Sequence, residues 1–186
     1  MSLTTQSLTY DDLVKMPDDG NRYEIIGGVL HVTPAPTPRH QRIVLGLGGR
    51  LDSFAMDRGL GTVYPAPLDV RLSPSHVVQP DLVFVRRERR GIVREQFIDG
   101  APDLVVEILS PSTSARDRGE KARLYALFGV LEYWLVDPDA RTVTALSLQQ
   151  GIYQALPEEH GVVRSAVLDG FEIDSAAVFA TLLDEG

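Results

Sequence analysis

The chain of 186 residues contains no cysteine, which rules out disulfide bridges and thiolate zinc sites and fits a reducing cytoplasm. It has no run of about eighteen apolar residues, so no bilayer-spanning helix is expected. The start, Met1-Ser2-Leu3-Thr4-Thr5-Gln6-Ser7, lacks the basic stretch and apolar core of a secretion signal. A soluble, cytoplasmic protein with no membrane partner is the expectation. Internal repeats, low-complexity tracts and linkers are also missing. The length suffices for one proper core, so residues 1–186 are expected to form a single domain.

Positive charge is scarce. A net charge of -8 excludes a protein that coats nucleic acid nonspecifically, because neutralising phosphates takes clustered Lys and Arg, but it leaves room for an enzyme acting on nucleic acid. Lysine is scarcest, with only Lys15 and Lys121 beside sixteen arginines. One local reversal stands out: Arg86-Arg87-Glu88-Arg89-Arg90-Gly91-Ile92-Val93-Arg94 carries five positive charges and one negative. It is either a grip for phosphates or a solvated loop.

What is present begins with Thr9 and Asp12, spaced as a capping box that opens a short helix ending before Pro17. Two apolar strands flanking Gly27-Gly28 predict an N-terminal β-hairpin. Ile43, Val44, Leu47, Leu51, Phe54 and Ala55 recur at helical spacing after a proline-rich stretch, predicting an amphipathic helix of about five turns. Strands follow over 61–72, around Asp81 and around Glu107. A helix is predicted from about Ser114 to Phe128, then a strand over 131–138 in a hairpin with 142–148, and a final helix capped by Asp174 and running to Leu183. Gly46-x-Gly48-Gly49 lies inside the amphipathic helix and lacks the Lys-Ser or Lys-Thr of a phosphate loop. The four histidines show no paired metal spacing, although His40 and Gln41 could line a site from a helix start.

Asp81 and Glu107 each interrupt an apolar run, Val77 to Val85 and Pro102 to Leu109, that reads as a buried strand. A buried ionised acid costs several kcal/mol unless its charge is compensated, and a bound cation would compensate it and also do chemistry. Asp103 lies four residues from Glu107 on one strand, roughly 13 Å at about 3.3 Å per residue, too far to share an ion. Asp103 is read as a strand-entry residue. Lys121, Leu124, Tyr125 and Phe128 fall at i, i+3, i+4 and i+7, so Lys121 is expected on the stripe facing the sheet. A helix pair with Asp117 or a snorkelling position is the plainer alternative. Glu24 is an acid in an apolar strand, either site-lining or solvent-facing. Two acids on adjacent strands with a lysine behind them is the layout of a metal-dependent phosphodiesterase.

The stretches Tyr23 to Gly28, Val78 to Val83, Pro102 to Ser112, Asp117 to Lys121 and Glu132 to Pro138 together resemble the PD-(D/E)xK restriction-endonuclease-like superfamily, and within it the bacterial Uma-two family of endonucleases. Leu109 departs from the superfamily's acid-x-lysine strand, and the Uma-two family is similar in drawing its lysine from the helix, matching Lys121. The resemblance implies an α/β fold with a central mixed β-sheet flanked by α-helices. It implies a Mg²⁺- or Mn²⁺-dependent endonuclease acting on nucleic acid, DNA ahead of RNA. Asp81 and Glu107 would hold the ion with the Ile108 carbonyl as third ligand, Lys121 would orient the attacking water, and Glu24 would add an outer carboxylate. Duplex cutting would suit a homodimer, with the apolar strand around Trp134 as one route of pairing. The rival readings are a non-enzymatic nucleic-acid-binding or regulatory module on the same fold, favoured by a solvent-facing Lys121, and a small-substrate metal phosphohydrolase.

Overall fold

Gly27 and Gly28 take φ of 60° and 78°, the left-handed pair that a two-residue hairpin requires. They join β1 (Arg22–Ile26) to β2 (Val29–Thr33), so the predicted hairpin is present. The structure, a computed structural model, describes residues 7–180. Ahead of the hairpin lies α1 (Tyr10–Leu13), where the Asp12 carboxylate accepts the Thr9 N–H at 3.0 Å as the capping box anticipates. Thr37 caps α2 (Pro38–Asp57) by accepting the His40 N–H, and Pro38 supplies the preset φ of a first helical residue.

Then come β3 (Gly61–Pro65), β4 (Asp69–Ser73), β5 (His76–Val78), β6 (Leu82–Arg86), a 3₁₀ turn (Arg87–Ile92), β7 (Phe97–Asp99) and β8 (Leu104–Ile108). The helix predicted from Ser114 to Phe128 is there in three parts: α3 (Ser114–Arg116), a wide π turn (Asp117–Lys121) and α4 (Ala122–Phe128), closed by Gly129 at φ 80°. Next are β9 (Glu132–Asp137), β10 (Thr142–Gln149), β11 (Ile152–Ala155), β12 (Val162–Arg164), β13 (Glu172–Asp174) and α5 (Ser175–Phe179). Asp174 caps α5 by accepting the Ala176 N–H at 2.8 Å, while the predicted end at Leu183 lies outside the described residues.

Six strands form a mixed sheet in the order β11-β10-β9-β8-β6-β3, with β8 and β9 parallel and the other pairs antiparallel. Helix α2 buries Ile43, Val44, Leu47 and Leu51 against Leu82, Phe84, Leu104, Val106 and Trp134 on one face. At Gly48 a Cβ would stand 2.9 Å from Leu82 Cδ2, so the glycine lets the helix lie close over the strand that follows Asp81. On the opposite face α4 buries Leu124 and Tyr125 against Val83, Val105, Tyr133 and Leu135. This is the expected mixed α/β architecture with helices on both faces.

Three features differ from expectation. The run Val77 to Val85, read as one buried strand, is split at Pro80, which has no N–H for a ladder, into β5 and β6 in different sheets, and Asp81 stands just ahead of β6. The hairpin is part of a second, five-stranded sheet in the order β2-β1-β5-β4-β7, because short strands distant in sequence pair there and alternation alone does not name a partner. And β9, which carries Trp134, is hydrogen-bonded to β8 on one side and β10 on the other, with Trp134 fully buried. It has no free edge, so a dimer cannot form by pairing this strand. Among the described residues no helix is long and apolar enough to cross a membrane.

Glu132, fully buried at the start of β9, holds the chain ahead of β13 in place. Its Oε2 accepts the Ser165 hydroxyl and the Ala166 and Val167 N–H groups at 2.9, 2.9 and 2.7 Å, and its Oε1 accepts the Trp134 indole N–H. Truncating it takes the carboxylate from all four donors at once, leaving only the Val167 N–H a second acceptor, Ser165 Oγ at 3.2 Å. Glu132→Ala is expected to cost about 3 kcal/mol or more, read as a drop in the urea midpoint, whereas Glu132→Gln retains part of the network and costs less.

Candidate active site

The β6–β8 register pairs Leu82 with Val106, and one step outward brings Asp81 opposite Glu107. Residues directly opposite on antiparallel strands project to the same face. That face is the one covered by the helix of Lys121. Asp81, Glu107, Glu24, Lys121 and Ile108 all line one cavity of about 590 Å³, walled by the proline-rich segment 34–38 and by Ser110 to Thr113.

Lys121 is buried, 4% exposed, and does face the sheet. Its Nζ lies 2.7 Å from Glu24 Oε1, 3.0 Å from Glu107 Oε1 and 3.7 Å from Asp117 Oδ1. The plain helix pair with Asp117 is thus the longest of its three contacts. The π turn ending at Lys121 sets its direction, and such turns recur where a helix must aim a functional side chain. Glu24 is buried rather than solvent-facing, its Oε1 also accepting the Gln79 N–H at 2.8 Å. Glu107 Oε1 accepts the Tyr125 hydroxyl at 2.8 Å, and its Oε2 makes no hydrogen bond among the described residues.

Asp81 is held differently. Its Oδ2 accepts the Ile108 N–H at 2.7 Å and lies 3.1 Å from His40 Nε2, while its Oδ1 accepts Arg22 Nη2 at 2.7 Å. Burial raises the cost of ionising Asp81, but the His40 hydrogen bond and the Arg22 charge outweigh it and hold its pKa below the usual carboxylate value. For Glu107 burial wins: despite Lys121 its pKa is pushed up to about 8. Burial likewise raises the pKa of Asp117, whose Oδ1 has no hydrogen-bond partner among the described residues. Burial opposes the charge on Lys121, yet Glu107, Glu24 and Asp117 together raise its pKa, so it is a fixed cation. Two acids of one site are pushed in opposite directions, a pattern common where proton and metal chemistry is done.

A family model described as Uma2, "Putative restriction endonuclease", matches residues 10–177. The chain belongs to the Uma2 family. A solved structure described as a putative nuclease belonging to DUF820, from Anabaena variabilis, shares the fold: the TM-score is 0.78 at 23% sequence identity, covering 95% of this chain and 99% of that one. No curated protein matches the chain.

Against this Uma2 framework, three site groups escaped the sequence reading. Arg22 enters β1 with no signal beyond being an arginine near a strand start. Tyr125 sits on the helical stripe with Lys121 and reads as core. Asp117 reads as a helix partner or cap. His40, noted at its helix start, is in place against Asp81. The arginine segment 86–94 is elsewhere: it begins at the far end of β6 from Asp81, five residues away or roughly 16 Å at about 3.3 Å per residue. Arg89 is also committed, its Nη1 donating to buried Asp103 Oδ1 at 2.9 Å and its Nη2 to the Ala101 carbonyl, while the Arg86 N–H donates to Asp103 Oδ2. Asp103 enters β8 as expected, and its side chain is the anchor of this loop.

Proposed function

We propose that residues 1–186 form one cytoplasmic domain acting as a Mg²⁺- or Mn²⁺-dependent endonuclease that hydrolyses phosphodiester bonds, with DNA as substrate. The observation that carries this reading is the convergence of Asp81, Glu107, Glu24 and Lys121 on one cavity. The donor set suits a hard divalent ion: carboxylate and carbonyl oxygens, with Glu107 Oε2 and the buried Asp117 Oδ1 both free of hydrogen bonds among the described residues. Among the described residues no group of three or more acids and histidines is arranged to hold an ion by itself, so a bound ion would keep several waters, as Mg²⁺ does when it takes one or two carboxylates. Asp81 and Glu107 would hold the ion, with the Ile108 carbonyl as third ligand. A bound ion supplies a polarised phosphoryl oxygen and a water of lowered pKa. Lys121 would orient that water and offset charge gathering at phosphorus, and Glu24, ion-paired with Lys121 at 2.7 Å, would fix the ammonium's position. Cutting both strands of a duplex calls for two copies, paired through a surface other than β9.

The test is direct. Purified protein is incubated with plasmid, linear duplex, single-stranded DNA and RNA in Mg²⁺, Mn²⁺ or chelator. Metal-dependent DNA cleavage, lost by at least about a hundredfold in Asp81→Asn and Glu107→Gln, is expected. No cleavage under any condition transfers the reading to a binding module, and hydrolysis confined to small phosphodiesters transfers it to a phosphohydrolase.

A further inference from the structure

Of the two oxygens of Asp81, Oδ2 is already fixed, by the Ile108 N–H at 2.7 Å and by His40 at 3.1 Å. Oδ1 is the one left for a cation, and Arg22 Nη2 is on it at 2.7 Å, with the Gln79 carbonyl as a second acceptor at 3.2 Å. A guanidinium has five N–H donors in a planar fork that suits phosphate as well as carboxylate. Among the described residues Nε and Nη1 of Arg22 make no hydrogen bond, and Arg22 lines the cavity at 18% side-chain exposure. The arginine therefore sits where an ion would have to bind, with most of its donors unspent. A like charge at this distance opposes an incoming divalent ion.

Building on the nuclease reading, we infer that Arg22 is a displaceable counter-ion that caps Asp81 Oδ1 while no metal is bound and passes to a phosphate of the nucleic acid when metal enters. Its consequence is coupling. Without nucleic acid, metal must displace Arg22 from its partner into water. With a phosphodiester in the cavity, the guanidinium has a second anion to receive it, so metal and nucleic acid each tighten the binding of the other by the same factor. Lys121 does not play this part, since it is buried among Glu24, Glu107 and Asp117 and leaves Glu107 Oε2 free.

Mn²⁺ binding, followed by electron paramagnetic resonance of the free ion, tests this with a phosphorothioate duplex that resists cleavage. Wild type should bind Mn²⁺ about tenfold more tightly with the duplex than without it. Arg22→Gln, which can still donate to the Gln79 carbonyl, should bind Mn²⁺ more tightly than wild type when no duplex is present and gain little from adding it. Arg22→Lys, which keeps the charge, should stay near wild type. Thermal melts in chelator report whether each variant is folded, and a wild-type crystal structure with Mn²⁺ bound needs no variant: Arg22 should have left Asp81 Oδ1. Mn²⁺ binding that is unchanged or weakened in Arg22→Gln, or an Arg22–Asp81 contact that persists beside a bound ion, overturns the inference while leaving the nuclease reading standing. Failure of wild type and Arg22→Gln alike to bind Mn²⁺ overturns both.

Discussion

Lys121→Ala is expected to reduce DNA cleavage by at least about a hundredfold while leaving DNA affinity within a small factor of wild type. The ammonium lies beside Glu107, where charge would gather during phosphoryl transfer, and losing one such donor from a water-poor site costs about 10²–10³ in rate. Retained affinity, measured by filter binding, shows that the variant is folded. Equal loss of affinity and rate would make Lys121 a binding residue. The same substitution has a stability cost, because Glu24, Glu107 and Asp117 are buried around one cation and would be left facing each other. Removing one partner of a buried ionic cluster typically costs about 3–5 kcal/mol. The three acids can relieve that cost only by taking up protons, so Lys121→Ala should be more stable near pH 5 than near pH 8, by urea unfolding at each pH.

The second large effect belongs to Glu107 in the intact protein. Burial pushes its pKa to about 8 from an ordinary 4.5. Between those values the native state keeps a proton that the unfolded state has released, so this group makes stability fall as pH rises from about 4.5 to about 8. The full penalty, on the order of a few kcal/mol, remains above pH 8. A divalent ion binding the ionised carboxylate removes it, so added Mg²⁺ or Mn²⁺ should raise the melting temperature more at pH 8 than at pH 5. Glu107→Gln should flatten both the pH dependence and the response to metal. Wild-type melts that ignore both ions at pH 8 would remove the support that burial of Glu107 lends to a metal site.

The sequence alone determined what its local physics controls. Gly27-Gly28 can adopt the left-handed pair of a tight hairpin, Thr9 with Asp12 closes a cap, and the stripe from Ile43 to Ala55 can bury only one face. An acid inside an apolar strand must be compensated, which made Asp81 and Glu107 legible as a pair, and helical spacing put Lys121 on the face turned toward them. Tertiary structure alone decided the rest. The division into two sheets, the interior place of β9 and the ion pair between Arg89 and Asp103 depend on which distant segments meet, and periodicity carries no information about partners. Arg22 is the clearest case: 59 residues from Asp81 in the chain, it is one surface arginine among sixteen until β1, pairing with β5, brings it to the carboxylate oxygen left for a cation.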